Sequence, residues 1–551
     1  MSKLNGVDKN LFDELRALHA DEFASLQKRL KGAVDEWNKS WWQVCFDITM
    51  EYFKFVGETW FKCVWMCFFF PLTMVDRLAT IILSFASCAI ITVLMFWCLF
   101  CSLPSVTSTA DWVLSKFFGG LSIVNIAYPT IFRDLKGPQV QAAHEYLSKA
   151  PTQFSSLESR RTRVFNLDAA KVLLQCAALM YERTGKQTRK TARAAAENKV
   201  HTTATEFDHG QAGNLIRQEC GQKSADAVNA SLHEINDEEI TIKKIAMENL
   251  GLQYYPVSEC NSLGSAFCAL FWDPTDTFII VAFKGTNPTD FKEWRTDFTF
   301  QMAHAREWIN GFSRVHQGFL EKIFPDKINA RTPYDTILKA IDVVSTRLRQ
   351  NKGEDTKINV WITGHSLGCA LASVAYARMV NEARELGPNV RVRDAYLFAA
   401  PIVCDVDSAG AFNNRMNHFS NEQNFQKTMW RVTNGQDAVA CSLPDAGDHT
   451  KWSLSPWNLF SFAHLGSEIK MRSTPTKCLV TGNHITPGTD VMIESALHID
   501  RLDPETEPLR KTLAYMQNLP LIGPIMAHAP GFYWSSLSEV AAGACEWQDE
   551  F

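Results

Sequence analysis

One serine stands in a setting that could make it a nucleophile. The motif Gly364-His365-Ser366-Leu367-Gly368 follows the largely apolar run Lys357 to Thr363 and precedes the small-residue stretch Cys-Ala-Leu-Ala-Ser. The run before it predicts a strand and the stretch after it a helix, so Ser366 lies on a sharp strand-to-helix turn. Such a turn strains the serine backbone and exposes Oγ, and the flanking glycines let strand and helix approach closely. Ser366 is the predicted nucleophile.

A serine of this kind needs a general base and an acid that orients the base. Both follow the serine along the chain, and the acid comes first. Asp437 comes shortly after the predicted strand Trp430 to Thr433 and is the first choice for the acid, while Asp405 and Asp407 follow another strand end and are its rivals. The candidates for the base are His449, His464, His484, His498 and His528. Spacing alone does not choose among these histidines.

The elements around these residues alternate between strands and helices. Strands are predicted at 277–283, 357–363, 394–399 and 430–433, and helices at 169–182, 334–348 and 370–380. Short apolar strands that alternate with helices are typical of a mostly parallel α/β sheet. We therefore predict an α/β domain over residues 136–551, with the sheet flanked by helices.

The stretch from about residue 277 to residue 501 resembles the class 3 (fungal-type) lipases, which are α/β-hydrolases. Six blocks stand in the order of that family: Ile280 to Thr286, Val315 to Phe319, Ile362 to Gly368, Phe398 to Pro401, Val432 to Val439 and Phe462 to Glu468. The third block matches the turn that carries Ser366. Cys369 departs from the pattern, because another glycine is common in its place.

The resemblance implies roles for individual residues. Asp437 matches the aspartate of the family's catalytic triad. His464 falls in a non-catalytic block, whereas the catalytic histidine comes last in the family, and His498 fits that place. The backbone N–H groups of Thr286 and Leu367 are implied as the oxyanion hole, which binds the negative oxygen formed during ester cleavage.

The resemblance also implies a lid over residues 287–299. Phe291, Trp294 and Phe298 stand at helical spacing and form one apolar face. This face either packs on the core as in an ordinary surface helix, or covers the serine in water and turns to lipid at an interface.

The N-terminal quarter of the chain is apolar in a different way. Residues 79–103 contain no charged side chain and are long enough to cross a ~30 Å hydrocarbon core as a helix. We expect residues 59–135 to be membrane-associated with a transmembrane helix at 79–103, in an integral protein of the endoplasmic reticulum or lipid droplet. Residues 1–58 carry an apolar helical stripe from Leu11 to Trp41, which suits a helix packed on the protein, a self-associating helix or one lying on the membrane.

Composition limits the possible partners. A net charge of -5 over 551 residues gives no reason to expect nucleic acid. The chain has no glycine-rich phosphate loop followed by lysine and no zinc-ligand spacing, so we expect no cofactor and no metal. The resemblance implies serine-dependent hydrolysis of lipid carboxylic esters, tri- or diacylglycerols, at a membrane or droplet surface. A phospholipase A1-type enzyme and a non-catalytic lipase-like membrane scaffold are the alternatives.

Overall fold

The structure of the protein is a computed structural model. It describes residues 40–69, 137–151, 163–182, 242–257, 268–286, 302–325, 332–417, 427–435, 437–441, 462–471, 478–481, 491–496 and 522–547, together with single positions and short stretches within 11–15, 82–109 and 131–135.

Sixteen strands are described within these residues. They are β1 (Arg163–Asn166), β2 (Gln253–Val257), β3 (Cys268–Trp272), β4 (Phe278–Phe283), β5 (Met302–His304), β6 (Arg314–His316), β7 (Ile358–His365), β8 (Val390–Phe398), β9 (Cys404–Asp405), β10 (Met429–Asn434), β11 (Phe462–Ala463), β12 (Ser467–Met471), β13 (Cys478–Thr481), β14 (Val491–Glu494), β15 (Gly543–Ala544) and β16 (Glu546–Trp547).

The α-helices are numbered in the same way. They are α1 (Trp41–Phe69), α2 (Gly137–Ser148), α3 (Leu167–Leu179), α4 (Gln317–Ile323), α5 (Pro333–Lys352), α6 (Leu367–Asn381), α7 (Val406–Asn417), α8 (Ile522–Ala527) and α9 (Pro530–Glu539). Short 3₁₀ helices cover Met180–Glu182 and Ala383–Leu386, and residues 242–250 are also helical.

A nine-stranded sheet forms the centre of the α/β domain, in the order β16-β13-β12-β10-β8-β7-β4-β3-β2. The strands β12, β10, β8, β7 and β4 are parallel to one another, and β3, β2 and β13 extend this group through antiparallel pairs. The predicted mostly parallel α/β sheet is confirmed. Because the strands run parallel, the loops that follow β4, β7 and β10 all emerge at one edge of the sheet.

Both faces of this sheet are covered. All six side chains of β4 are buried, and alternate ones point to opposite faces because successive residues of a strand do so. Ile279, Val281 and Phe283 pack in one cluster with residues of α5 and α6. Phe278, Ile280 and Ala282 pack in the other cluster with residues of α3 and α9. The continuous apolar run of β4 thus reflects a strand that is buried on both sides.

Helices α5 and α3 begin at residues whose side chains cap them. The Thr332 hydroxyl accepts a hydrogen bond from the Asp335 backbone N–H, the Asp335 carboxylate accepts one from the Thr332 N–H, and Pro333 opens α5. This capping box satisfies N–H groups that have no partner within the helix. The Asn166 side chain caps α3 by accepting from the Ala169 N–H at 2.8 Å.

Two smaller sheets complete the domain. In one, β1 pairs in parallel with β14, and β15 adds to β14. Asp168, at the start of α3, strengthens this pairing because its carboxylate accepts hydrogen bonds from the Ser495 hydroxyl at 3.0 Å and the Ala496 N–H at 2.8 Å. The other sheet has the order β11-β9-β6-β5 and is antiparallel.

Helix α1 has three distinct faces. Its buried face carries Val44, Ile48, Tyr52 and Phe55, which share a cluster with Cys88, Ile91, Met95, Ile402 and Phe462. The Tyr52 hydroxyl also donates to the Cys88 carbonyl at 2.7 Å. A second face carries Asp47, Glu51, Lys54 and Glu58. On the third, the outward stripe of α1, the exposed apolar side chains are Trp42, Phe46, Met50, Phe53, Trp60, Phe61, Val64 and Phe68.

The described positions of residues 82–100 are helical and have a buried face and an exposed apolar face, without charged side chains. Cys88, Ile91 and Met95 face α1, and the exposed apolar side chains are Ile82, Phe85, Val93, Phe96, Trp97 and Phe100. Residues 79–103, for which the sequence predicts a transmembrane helix, are described only in part. Within the described residues, no helix is both long enough and apolar enough to cross a bilayer.

The apolar stripe near the N-terminus is described at its first positions. Leu11 and Leu15 are buried in the cluster on one face of the central sheet, and the Phe12 ring lies 5.8 Å from the Tyr255 ring. At these positions the structure has the first of the three expected arrangements, packing on the rest of the protein. Helix α1 also runs across the boundary predicted between residues 58 and 59.

Candidate active site

Ser366 lies on the turn between β7 and α6, at the edge of the sheet. Its φ of 57° and ψ of -130° place it in a region that non-glycine residues rarely adopt. A Cβ on Gly364 would lie 2.6 Å from the backbone of Gly368, and one on Gly368 would lie 2.4 Å from the Phe283 carbonyl oxygen. The predicted strained turn is confirmed, and only glycines permit strand and helix to approach this closely.

A histidine and an aspartate complete a chain of contacts to this serine. Ser366 Oγ lies 2.8 Å from Nε2 of His528, and Nδ1 of His528 lies 2.9 and 3.0 Å from the two carboxylate oxygens of Asp437. The carboxylate can only accept, so Nδ1 carries the imidazole proton and Nε2 accepts from the serine hydroxyl. Nε2 is therefore placed to remove the Ser366 proton.

His528 occupies the position that the sequence analysis gave to His498, so the histidine of this arrangement is corrected. His498 lies outside the described residues. His528 stands in the turn between α8 and α9, and Pro530 begins the second of these helices. The physical reason for the correction is that residues 522–539 pack against the loop that follows β10. The Ala438 N–H donates to the Pro524 carbonyl at 3.0 Å, and the Asn434 amide donates to the Ala527 carbonyl at 3.1 Å.

Asp437 is fully buried and surrounded by donors. Burial favours the neutral carboxyl, but the nearby His528 imidazole and the hydrogen bonds from His528, Tyr533 and the Ala440 N–H outweigh it and hold the pKa of Asp437 below its ordinary value. The Tyr533 hydroxyl donates to Asp437 Oδ2 at 2.7 Å. The carboxylate is thus charged at neutral pH and rigidly held, as an orienting acid must be.

The two rival aspartates lie elsewhere. Asp405 is buried in β9, where it accepts a hydrogen bond from the Ser408 backbone N–H at 3.0 Å and lies 3.5 Å from the Arg314 guanidinium. Asp407 is exposed in the first turn of α7. These contacts are structural, and neither residue is in contact with His528 in the described part of the chain.

A second histidine borders the same site. His365, directly before Ser366, lies with Nε2 2.7 Å from the His528 carbonyl oxygen and with Nδ1 2.8 Å from the Tyr181 hydroxyl. Burial, reinforced by the charge of the neighbouring His528, lowers the pKa of His365 to about 3. His365 is therefore neutral at physiological pH.

The two proposed oxyanion donors stand on adjoining backbone segments. Leu367 is the first residue of α6, and Thr286 follows the end of β4 and is buried. A Cβ on Gly285 would lie 2.5 Å from the His365 carbonyl oxygen, so the segment 284–286 passes directly beside the turn. The predicted lid residues Phe291, Trp294 and Phe298 lie outside the described residues.

Sequence reasoning did not single out three of these residues. His528 was one of five candidates, and a signal for it exists in Pro530, which marks a helix start directly after the histidine. Tyr533 follows within that helix. Tyr181 gave no signal, because it lies far upstream at the end of a helix that reads as ordinary core.

Part of the chain is similar to known proteins. Residues 280–446 match the family model of lipase (class 3). Triacylglycerol lipase OBL1 of Ricinus communis is 25% identical over 195 residues, which are 30% of this chain and 35% of that protein. Phospholipase A1-II 3 of Oryza sativa subsp. japonica is 29% identical over 180 residues, which are 30% of this chain and 39% of that protein. The chain thus spans little more than a third of the length of these curated relatives.

The solved structures to which the chain is similar include the crystal structure of a lipase from Rhizopus microsporus var. chinensis. It is 20% identical, covers 45% of this chain and 71% of its own, and aligns with a TM-score of 0.29.

Proposed function

Because residues 280–446 match the family model of lipase (class 3), we propose that the protein is a serine-dependent hydrolase of lipid carboxylic esters. The observation that carries this proposal is the chain of contacts from Ser366 Oγ through His528 to Asp437. Contacts of this kind activate a serine that is otherwise a weak nucleophile. An intact set of this kind also argues against a purely non-catalytic scaffold.

The geometry suits a two-step reaction. Ser366 Oγ attacks the ester carbonyl carbon while His528 Nε2 takes its proton. The resulting imidazolium is stabilised by Asp437 and returns the proton to the leaving alcohol, which leaves an acyl group on the serine. Water then attacks this acyl-enzyme by the same route, releases the fatty acid and restores the serine. The backbone N–H groups of Thr286 and Leu367 are proposed to hold the negative oxygen, and losing one such donor typically costs ~3 kcal/mol.

The proposed substrates are tri- and diacylglycerols. Phospholipids cleaved in the manner of a phospholipase A1 are the second candidate, which the likeness to Phospholipase A1-II 3 favours. Ser366 is only 6% exposed, so little of its surface is open to a lipid substrate. This burial supports the proposal that the face formed by Phe291, Trp294 and Phe298 acts as a lid.

We also propose that the protein works attached to a lipid surface, at the endoplasmic reticulum or a lipid droplet. The support is the outward stripe of α1 and the exposed apolar face of residues 82–100, both rich in exposed tryptophan and phenylalanine. Charged side chains border the outward stripe of α1, as in helices that lie in the membrane interface. Such attachment keeps the enzyme close to a substrate that does not leave the lipid phase.

The test uses the full-length protein and the variant Ser366→Ala. A fluorophosphonate probe, which labels activated serines, is expected to label the parent and not the variant. The parent is expected to hydrolyse emulsified triacylglycerol, diacylglycerol or phosphatidylcholine, and the variant none of them, while both remain equally folded and equally bound to lipid. Hydrolysis by Ser366→Ala near the parental rate would refute the proposal, and the preferred substrate would separate the two lipase types.

A further inference from the structure

His365 connects Ser366 and His528 independently of the hydrogen bond between their side chains. It is covalently joined to Ser366, and its Nε2 lies 2.7 Å from the main-chain carbonyl oxygen of His528. The ring of His528, in turn, contacts Ser366 Oγ. The carbonyl and the ring of His528 are thereby both tied to consecutive residues of one turn, which fixes the position of the imidazole relative to the serine.

The direction of these hydrogen bonds follows from simple chemistry. A carbonyl oxygen only accepts, so Nε2 of His365 must carry the proton of the neutral ring. Nδ1 of His365 is then unprotonated and must accept, which makes the Tyr181 hydroxyl the donor at 2.8 Å. The Tyr181 hydroxyl thus selects the one tautomer of His365 that can hold the His528 carbonyl.

The neutral state of His365 matters for the reaction. Its ring centroid lies 4.9 Å from that of His528, which becomes positively charged when it takes the serine proton. A second positive charge at this distance would oppose that step.

Tyr181 also lies against the segment that carries the proposed oxyanion donor Thr286. A Cβ on Gly285 would lie 2.0 Å from the Tyr181 hydroxyl oxygen. Tyr181 is almost completely buried, and it stands in the 3₁₀ turn after α3, on none of the strands that carry the other site residues. Its hydroxyl therefore lies between the serine turn and the end of β4, and it is linked to the loop of His528 through the His365 ring.

We propose that Tyr181 is a positioning residue for ester hydrolysis, acting through His365 to hold the His528 backbone and so the contact between His528 and Ser366. This inference rests on the proposed function. It assigns to a residue outside the lipase-like segment a role in the rate of the chemical step and none in substrate binding.

The first test compares Tyr181→Phe with Tyr376→Phe in the full-length protein. Both tyrosines are fully buried and both hydroxyls donate, that of Tyr376 to the Arg393 carbonyl at 2.8 Å, away from the site. Tyr181→Phe leaves a buried acceptor on His365 without its donor, so kcat for a soluble short-chain ester is expected to fall about tenfold. KM is expected to stay unchanged, because Tyr181 does not touch substrate. Tyr376→Phe is expected to keep the parental kcat.

The second test replaces His365. His365→Gln keeps an amide donor for the His528 carbonyl and is expected to retain more activity than His365→Leu, which has none. Adding Tyr181→Phe to His365→Leu is expected to cost little further activity, because the two residues act in series. Fluorophosphonate labelling of Ser366 is expected to slow in the same order.

These outcomes separate two failures. If Ser366→Ala is inactive but Tyr181→Phe has the kcat of Tyr376→Phe, the positioning role is wrong and the proposed function stands. A fully additive effect of Tyr181→Phe and His365→Leu, or a rise in KM without a fall in kcat, would likewise overturn it. If Ser366→Ala remains active, the proposed function itself fails.

Discussion

The central sheet and helix α1 use large apolar side chains in opposite ways. In the sheet, Trp272, Trp361 and Trp430 are each at most 1% exposed, whereas on α1 Trp42 is 73% and Phe68 80% exposed. The apolar surface of the sheet is buried by the helices that flank it. Helix α1 buries only one of its apolar faces in this way, and the side chains of its second apolar face are exposed. Since burying a phenylalanine is worth about 1.5–3 kcal/mol, that face is complementary to an apolar phase.

The polar groups of the two regions also differ in burial. Near the sheet edge, the buried Asp437 carboxylate is matched by donors from His528 and Tyr533. On α1, the carboxylates of Glu51 and Glu58 and the ammonium of Lys54 are exposed to solvent. We therefore propose that the chemistry belongs to one region and the contact with lipid to the other. Substitutions in each region should therefore affect one property and spare the other.

The largest effect is expected from the site. His528→Ala and Asp437→Asn should each lower kcat by several decades, and adding either to Ser366→Ala should cost little more, because the three residues act as a unit. Binding to lipid vesicles should be unchanged. His498→Ala is the matched control and should keep activity near the parental level. An inactive His498→Ala together with an active His528→Ala would identify His498 as the general base instead of His528.

Substitutions on α1 should have a smaller effect, and they should change lipid binding and leave catalysis intact. Phe46→Glu and Phe53→Glu, singly and together, should reduce binding to neutral phosphatidylcholine vesicles in a flotation assay, by roughly one decade per substitution. Hydrolysis of a soluble short-chain ester should be unaffected. Lys54→Glu, on the charged face of the same helix, is the control for the change in charge. Equal losses of binding in Phe46→Glu, Phe53→Glu and Lys54→Glu would show that the outward stripe is not the contact surface.

The smallest effect concerns His144, which ties α2 to the turn between β3 and β4. Burial alone would lower the pKa of His144, but hydrogen bonds and charge from Asp273 and Asp276 raise it to about 9. Because this lies above the ordinary value of about 6.5, the stabilisation is complete below about pH 6.5 and is lost as pH rises through about 9. His144→Ala should therefore lower Tm by a few degrees at pH 6, corresponding to roughly 1–2 kcal/mol, and by less at pH 10.

The exposed His304 provides the control for that experiment, since His304→Ala should leave Tm unchanged at both pH values. A loss in His144→Ala that is the same at pH 6 and pH 10 would mean that the ring packs against Phe278 without contributing as a cation.

Local patterns were sufficient for the part of the site that follows strands. Ser366 and the strained turn were predictable because a strand, two glycines and a helix stand next to each other in the sequence. The core strands β4, β7 and β10 were predictable from continuous apolar runs. Asp437 could be ranked above its rivals from its place beyond the strand β10, with help from the family resemblance.

The parts of the site and of the fold that were not predicted depend on contacts between segments that are distant in the sequence. The choice of His528 is decided by how residues 522–539 fold back on the loop after β10, which no local pattern records. The lipid contact that we propose for α1 was not predicted from the sequence for another reason. Its charges at Asp47, Glu51, Lys54 and Glu58 interrupt the apolar sequence over residues 41–58, so the hydropathy of a continuous segment misses a helix whose apolar side chains are separated onto two faces.

The parallel pairing of β1 with β14 has a consequence for the synthesis of the chain. The contact between Asp168 and Ala496 joins residues 328 positions apart. At about 5–20 residues per second, a ribosome needs roughly 15–65 s to deliver β14 after β1 has emerged. Throughout that time β1 has no strand to pair with in its native sheet, and an unpaired edge of this kind is where nascent chains associate wrongly. Protection by a chaperone during this interval would matter most for the segment that leads directly into α3 and Tyr181.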